Sequence, residues 1–122
     1  MIKLVSLHIN TEQPEQLGEF YADVLRLKPA WSSESVTGFM VGDFRLEIAG
    51  HDQVSGQNST PARHFFDLMV DDVYAEFERI IGLGATAIQH PYAFSDEALK
   101  MVIATLADLD GNYFQLVSMQ TD

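Results

Sequence analysis

The sequence predicts an α+β fold of two tandem βαβββ modules whose curved mixed sheets surround a concave cleft. Three observations lead there. The order strand, helix, three strands can be read twice along the 122 residues. The text repeats with the pattern: "EFYADVLRLK" is echoed by "EFERIIGLGA", and "VGDFRLEI" by "LDGNYFQL". Between the copies lies one polar stretch, "GHDQVSGQNSTPA", whose Gly, Ser, Asn and Pro content marks a linker. The expected boundaries are module one at about 1–49, the linker at about 50–62 and module two at about 63–122, within a single domain spanning 1–122.

The first module opens with an alternating stretch, residues 3–10. It sets Val5, Leu7 and Ile9 on one face and Leu4, Ser6, His8 and Asn10 on the other, which is a strand pattern. "TEQPEQLGEFYADVLRL" follows, with Leu17, Phe20, Tyr21 and Val24 at helical spacing, Pro14 suited to the first turn and Gln13 as a weak N-cap. Residues 28–34, 37–41 and 44–49 read as three short strands, the last two joined at Gly42-Asp43.

After the linker, residues 63–70 form a strand with Phe66, Leu68 and Val70 on one face and Phe65, Asp67 and Met69 on the other. "DDVYAEFERIIGLGA" is a helix with Val73, Phe77, Ile80 and Ile81 inward, capped by Asp71 or Asp72 and ended in the 82–84 region. Residues 85–90, 100–107 and 113–119 supply three more strands, the last entered through the tight-turn sequence "LDGN". The apolar positions Val5, Leu7, Ile9, Phe44, Leu46, Ile48, Phe66, Leu68, Val70, Phe114 and Leu116 then all face the helices.

Composition narrows the function classes. A chain that is 47% hydrophobic and 20% charged folds as a globular domain. With no cysteine it has no disulfide framework, no thiolate metal site and no cysteine nucleophile. The net charge of −11, from 18 acidic and 7 basic residues, argues against nucleic acid as a partner, since phosphate binding needs clustered Lys and Arg. The same charge serves solubility and raises the encounter rate with cationic ligands. No apolar run approaches the roughly 18 residues of a membrane span. The start, "MIKLVSLHIN", enters the strand pattern without signal-peptide anatomy, so a cytoplasmic protein is expected, with no membrane partner.

The alternation also defines the face opposite the helices. Ser6, His8 and Asn10 come from the first strand, Arg45 and Glu47 from the fourth, Phe65, Asp67 and Met69 from the fifth, and Tyr113, Gln115, Val117 and Met119 from the eighth. A mostly apolar surface with a few convergent polar groups suits a small molecule. Arg45 and Glu47, two apart on one strand, are placed to pair with each other. Gln115 poses its own question, because a buried unpaired amide costs about 1–3 kcal/mol and so needs a partner.

These pieces resemble the vicinal oxygen chelate superfamily, the glyoxalase, bleomycin-resistance and extradiol-dioxygenase group. "EFYADVLRL" matches its first-helix motif, "VDDVYAEFERIIGLGA" its second, and "DLDGNYFQLV" its closing Asp-Pro-Asp-Gly-Asn strand. In metal-dependent members one ligand comes from each of the first, fourth, fifth and eighth strands. The resemblance puts those positions at Ser6, Glu47, Phe65 and Gln115. Ser6 is a poor ligand and Phe65 cannot coordinate, whereas catalytic sites use about three protein donors. No cofactor is therefore expected. Were a divalent metal bound, the displaced set His8, Glu47, Asp67 and Gln115 would hold it, with the character of a hard-metal site. His64 is one residue off that face.

The expected function is that of a glyoxalase/bleomycin-resistance-like protein binding a small, partly aromatic or cationic molecule without a tightly bound metal. Trp31, Phe39, Phe65 and Tyr113 would stack on the ligand and Glu47 and Asp67 would meet its positive charge, with Ser6, His8, Arg45 and Gln115 completing the set. The alternatives are a metal-dependent lyase, isomerase or dioxygenase, and a metal-free enzyme with Glu47 or His8 as general base. The resemblance also implies a homodimer, consistent with edge strands that need covering.

Overall fold

The computed structural model describes residues 1–95 and 100–119. The chain divides into two compact units, Met1–Gly56 and Gln57–Asp122. The division falls inside the stretch that reads as a linker.

In the first unit β1 (Ser6–Thr11) leads into α1 (Pro14–Leu25), followed by β2 (Trp31–Ser32), β3 (Val36–Val41) and β4 (Phe44–Gly50). The sheet order is β1-β4-β3-β2, with β1 parallel to β4 and the other pairs antiparallel. A parallel pair needs a crossover, and α1 is part of it. Pro14 occupies the first turn of α1 as expected, and Gln13 stands at the N-cap without a side-chain capping bond. Instead the buried Thr11 accepts the Gln13 amide through Oγ1 at 3.0 Å. Leu17, Phe20, Tyr21 and Val24 are all buried, as their spacing requires, with Ile9, Phe39, Leu46 and Ile48 of the sheet. Gly42 takes φ +62°, the conformation that lets a two-residue turn join β3 to β4.

The second unit repeats the plan. A 3-10 turn, Pro61–Arg63, precedes β5 (Phe66–Met69), then α2 (Val73–Gly82), β6 (Thr86–Ser95), β7 (Lys100–Ala107) and β8 (Tyr113–Met119). The order is β5-β8-β7-β6, with β5 parallel to β8. Asp72 rather than Asp71 caps α2, its carboxylate accepting the Ala75 amide at 3.1 Å. Val73, Phe77 and Ile80 are buried, Ile81 only half so, and the sheet contributes Val102, Ala104, Leu106, Phe114 and Leu116. Phe66 stacks on its register partner Phe114, ring centroids 6.0 Å apart.

Several boundaries move. β1 begins at Ser6 and leaves Val5 exposed. The strand expected at 28–34 contracts to Trp31–Ser32, and that at 63–70 to Phe66–Met69, because Arg63 belongs to the 3-10 turn. β6 runs on past Pro91, which the edge position of this strand tolerates, since among the described residues it pairs only with β7. The register shifts between Gln89 and Tyr92 to absorb the proline.

Candidate functional site

Each sheet keeps one face under its helix, and most of the candidate residues are distributed over the other. In the first unit, strand register sets four residues in one line across the sheet. His8 of β1 lies opposite Glu47 of β4, Glu47 opposite Gly38 of β3, and Gly38 opposite Trp31 of β2. Directly opposed residues share a face, so this is a row of neighbours on the side away from α1.

Contacts run along the row. His8 Nδ1 and Glu47 Oε2 are 2.8 Å apart. Trp31 Nε1 donates a long hydrogen bond, 3.4 Å, to the other carboxylate oxygen, Oε1. Glu47 is thus held from both sides, and the expected pairing with Arg45 does not form. The reason is register: Arg45 is opposite Ser6 and Met40, one row away, whereas His8 is directly opposite Glu47. Gly38 makes the arrangement possible. A Cβ there would lie 1.9 Å from Trp31 Cε2, so the indole rests on bare backbone and only glycine leaves room for it. The row remains accessible, with side-chain exposures of 56% for His8 and 25% for Glu47.

Phe39 is a correction. It is fully buried, because it lies opposite Leu46 on the helix-covered face, and it belongs to the core instead of a ligand surface. Its neighbour Gly38, which carries no side chain to attract attention, holds the position on the open face.

The second unit carries the topologically equivalent row: Asp67 of β5, Gln115 of β8, Thr105 of β7 and Gln89 of β6. The Gln115 amide donates through Nε2 to Thr105 Oγ1 at 3.1 Å. That answers what a half-buried amide does in an apolar strand. Alternation along β8 does not point to Thr105, because the contact lies across strands. Asp67 is exposed, Phe65 precedes β5 and is 48% exposed, and Tyr113 is half-buried at the start of β8.

With Phe39 in the core, the other nine candidate residues sort by unit. Ser6, His8, Trp31, Arg45 and Glu47 share the open face of the first; Asp67 and Gln115 are paired in the second, with Tyr113 on the same strand as Gln115 and Phe65 before β5. Within neither unit do three or more His, Asp or Glu side chains converge on one point among the described residues. His8 and Glu47 are the best pair of donors, but they are directed at each other.

Comparison with known proteins places this geometry. Residues 6–117 match the family described as glyoxalase-like domain. The chain belongs to that family. A glyoxalase/bleomycin resistance protein/dioxygenase family enzyme from Burkholderia phytofirmans superposes with a TM-score of 0.80 at 20% identity, over 98% of this chain and 100% of that one. A glyoxalase-related enzyme from Fulvimarina pelagi gives 0.77 at 15% identity, over 97% and 88%. A glyoxalase/bleomycin resistance protein from Albidiferax ferrireducens gives 0.74 at 18%, over 93% and 97%. At these identities the likeness establishes the fold, and a fold of this kind does not fix a chemistry. No protein with a curated description matches the chain.

Proposed function

We propose that this glyoxalase-like protein binds a small, partly aromatic or cationic organic molecule on the open sheet face of its first unit, without a tightly bound metal. The observation that carries the proposal is the row His8–Glu47–Gly38–Trp31. An indole held against a carboxylate offers a flat apolar surface and a negative charge side by side. Such a pair suits a ring that stacks or a cation that sits over the indole. Arg45, exposed one row away, is available to an oxygen-bearing end of the same ligand.

Trp31 is the sole tryptophan, so its emission reports the site directly. A thermal-shift screen of aromatic and cationic compounds, followed by titration of Trp31 fluorescence, tests the proposal. Saturable quenching that weakens in Glu47→Gln is expected, and the thermal stabilisation by the same compound should be lost in Trp31→Ala. A screen in which no compound stabilises the protein would sink it.

The metal-dependent alternative, a lyase, isomerase or dioxygenase, draws support from the two adjacent donors His8 and Glu47. Elemental analysis of protein purified without chelator separates the two: near-stoichiometric metal would favour the alternative. We further propose a cytoplasmic homodimer. Its support is the long edge strand β6, which exposes Ile88, Tyr92 and Phe94. A monomeric mass by light scattering at micromolar concentration would refute it.

A further inference from the structure

From residue 57 onward the stretch that reads as a linker is a fixed wall. Gln57 Nε2 donates to the Leu109 carbonyl at 2.8 Å, and the Asn58 amide donates to the Asp110 carbonyl at 2.8 Å. Asn58 Nδ2 donates to Asn112 Oδ1 at 3.0 Å, while Asn58 Oδ1 accepts the Thr60 amide at 3.0 Å. The other side of these bonds is the "DLDGN" turn. There the buried Asp108 accepts the backbone amides of Asp110 and Asn112 at 2.8 and 3.0 Å, and Asn112 Nδ2 as well. Gly111 adopts φ +81°, and a Cβ on it would lie 2.7 Å from Gln57 Oε1. The turn is thus shaped to receive the segment.

The wall borders a cavity of about 390 Å³, lined by Thr60, Pro61, Ala62, Arg63 and Tyr113. It lies wholly within the second unit. Arg63 has no carboxylate partner among the described residues. In a chain with 18 acidic and 7 basic residues, an arginine left unpaired beside a cavity is a cation available to a ligand.

We propose that this cavity is a second binding site, for a small organic carboxylate with a compact apolar body. The planar guanidinium of Arg63 matches a carboxylate with two parallel hydrogen bonds, a geometry lysine cannot offer. The hydroxyls of Thr60 and Tyr113 are further donors, and Pro61, Ala62 and the Tyr113 ring supply apolar surface. The volume is at the small end of ligand pockets and suits about one ring. Because the hydrogen bonds above fix the wall before the ligand arrives, little ordering cost falls on binding. The net charge of −11 disfavours an anion over most of the molecule, so a carboxylate needs a local cation such as this one.

Benzoate and hexanoate are the probes, with benzamide as the neutral control, followed by backbone amide NMR shifts on the full chain. Saturable shifts at residues 60, 62, 63 and 113 are expected, with a Kd in the millimolar range or tighter and at least about tenfold weaker binding of benzamide. Arg63→Met should weaken benzoate at least about tenfold, and Arg63→Lys should fall between, because it keeps the charge and loses the fork. Spectral dispersion in both variants checks that they fold. Absence of saturable shifts with both carboxylates overturns the proposal. So does benzoate binding that is indifferent to Arg63→Met, or benzamide binding equally well.

Discussion

The placement of Trp31 on Gly38 predicts an unusual outcome for Gly38→Ala. In an ordinary strand the change from Gly to Ala stabilises by about 0.5–1 kcal/mol, because the unfolded chain loses freedom and the strand gains a side chain. Here the new Cβ would meet Trp31 Cε2 at 1.9 Å. Carbon atoms pack at about 3.5 Å or more, so the indole must retreat by about 1.6 Å. Its hydrogen bond to Glu47 starts at 3.4 Å and breaks with that movement. The lost bond to a charged, partly exposed acceptor is worth about 0.5–1 kcal/mol, and the lost ring packing adds about as much. The sum, about 1–2 kcal/mol, exceeds the strand gain, so net destabilisation of up to about 1.5 kcal/mol is expected, a fall of a few degrees in melting temperature. The emission maximum of the single tryptophan should move to the red in the same variant. A variant more stable than wild type, with unchanged emission, would refute the placement of the indole.

Three further outcomes follow from the same structure. Phe39→Ala should cost about 3–5 kcal/mol by chemical denaturation, as a fully buried core aromatic does. A surface-stacking Phe39 would instead weaken binding at little cost in stability. Asp72→Ala should cost about 1 kcal/mol through loss of the α2 cap, and Asp71→Ala should be near neutral. Glu47→Gln should barely change stability, since it replaces one acceptor by another at an accessible position, yet should weaken a cationic ligand at least about tenfold.

Periodicity along the chain makes both helices, the β3–β4 turn and most of the helix-facing apolar set legible in the sequence alone, Val5 and Phe39 being the exceptions. Leu17, Phe20, Tyr21 and Val24 are buried as their spacing requires, and Phe44, Leu46 and Ile48 keep their predicted side. Alternation separates the two faces of one strand, but it does not say which residue lies beside which on the next. That lateral information decides the site. His8 meets Glu47 because two parallel strands are in that register, and Arg45 loses the carboxylate for the same reason. Thr105 as the partner of Gln115, and Gly38 as the seat of Trp31, depend likewise on pairing across strands. The wall at residues 57–62 is illegible for a different reason. Its polar composition reads as a linker, whereas its order comes from hydrogen bonds to a turn some fifty residues away in sequence, such as Asn58 to Asn112.

The most direct measurement is a titration of Trp31 fluorescence with a compound that stabilises the protein, run in parallel on wild type and Glu47→Gln. If the His8–Glu47–Gly38–Trp31 row is a binding surface for a partly aromatic or cationic molecule, wild type will show saturable quenching. Glu47→Gln will then show a Kd at least about tenfold higher, or about 1.4 kcal/mol of lost affinity. Stabilisation without any change in Trp31 emission, or equal affinity in the two proteins, would contradict that assignment.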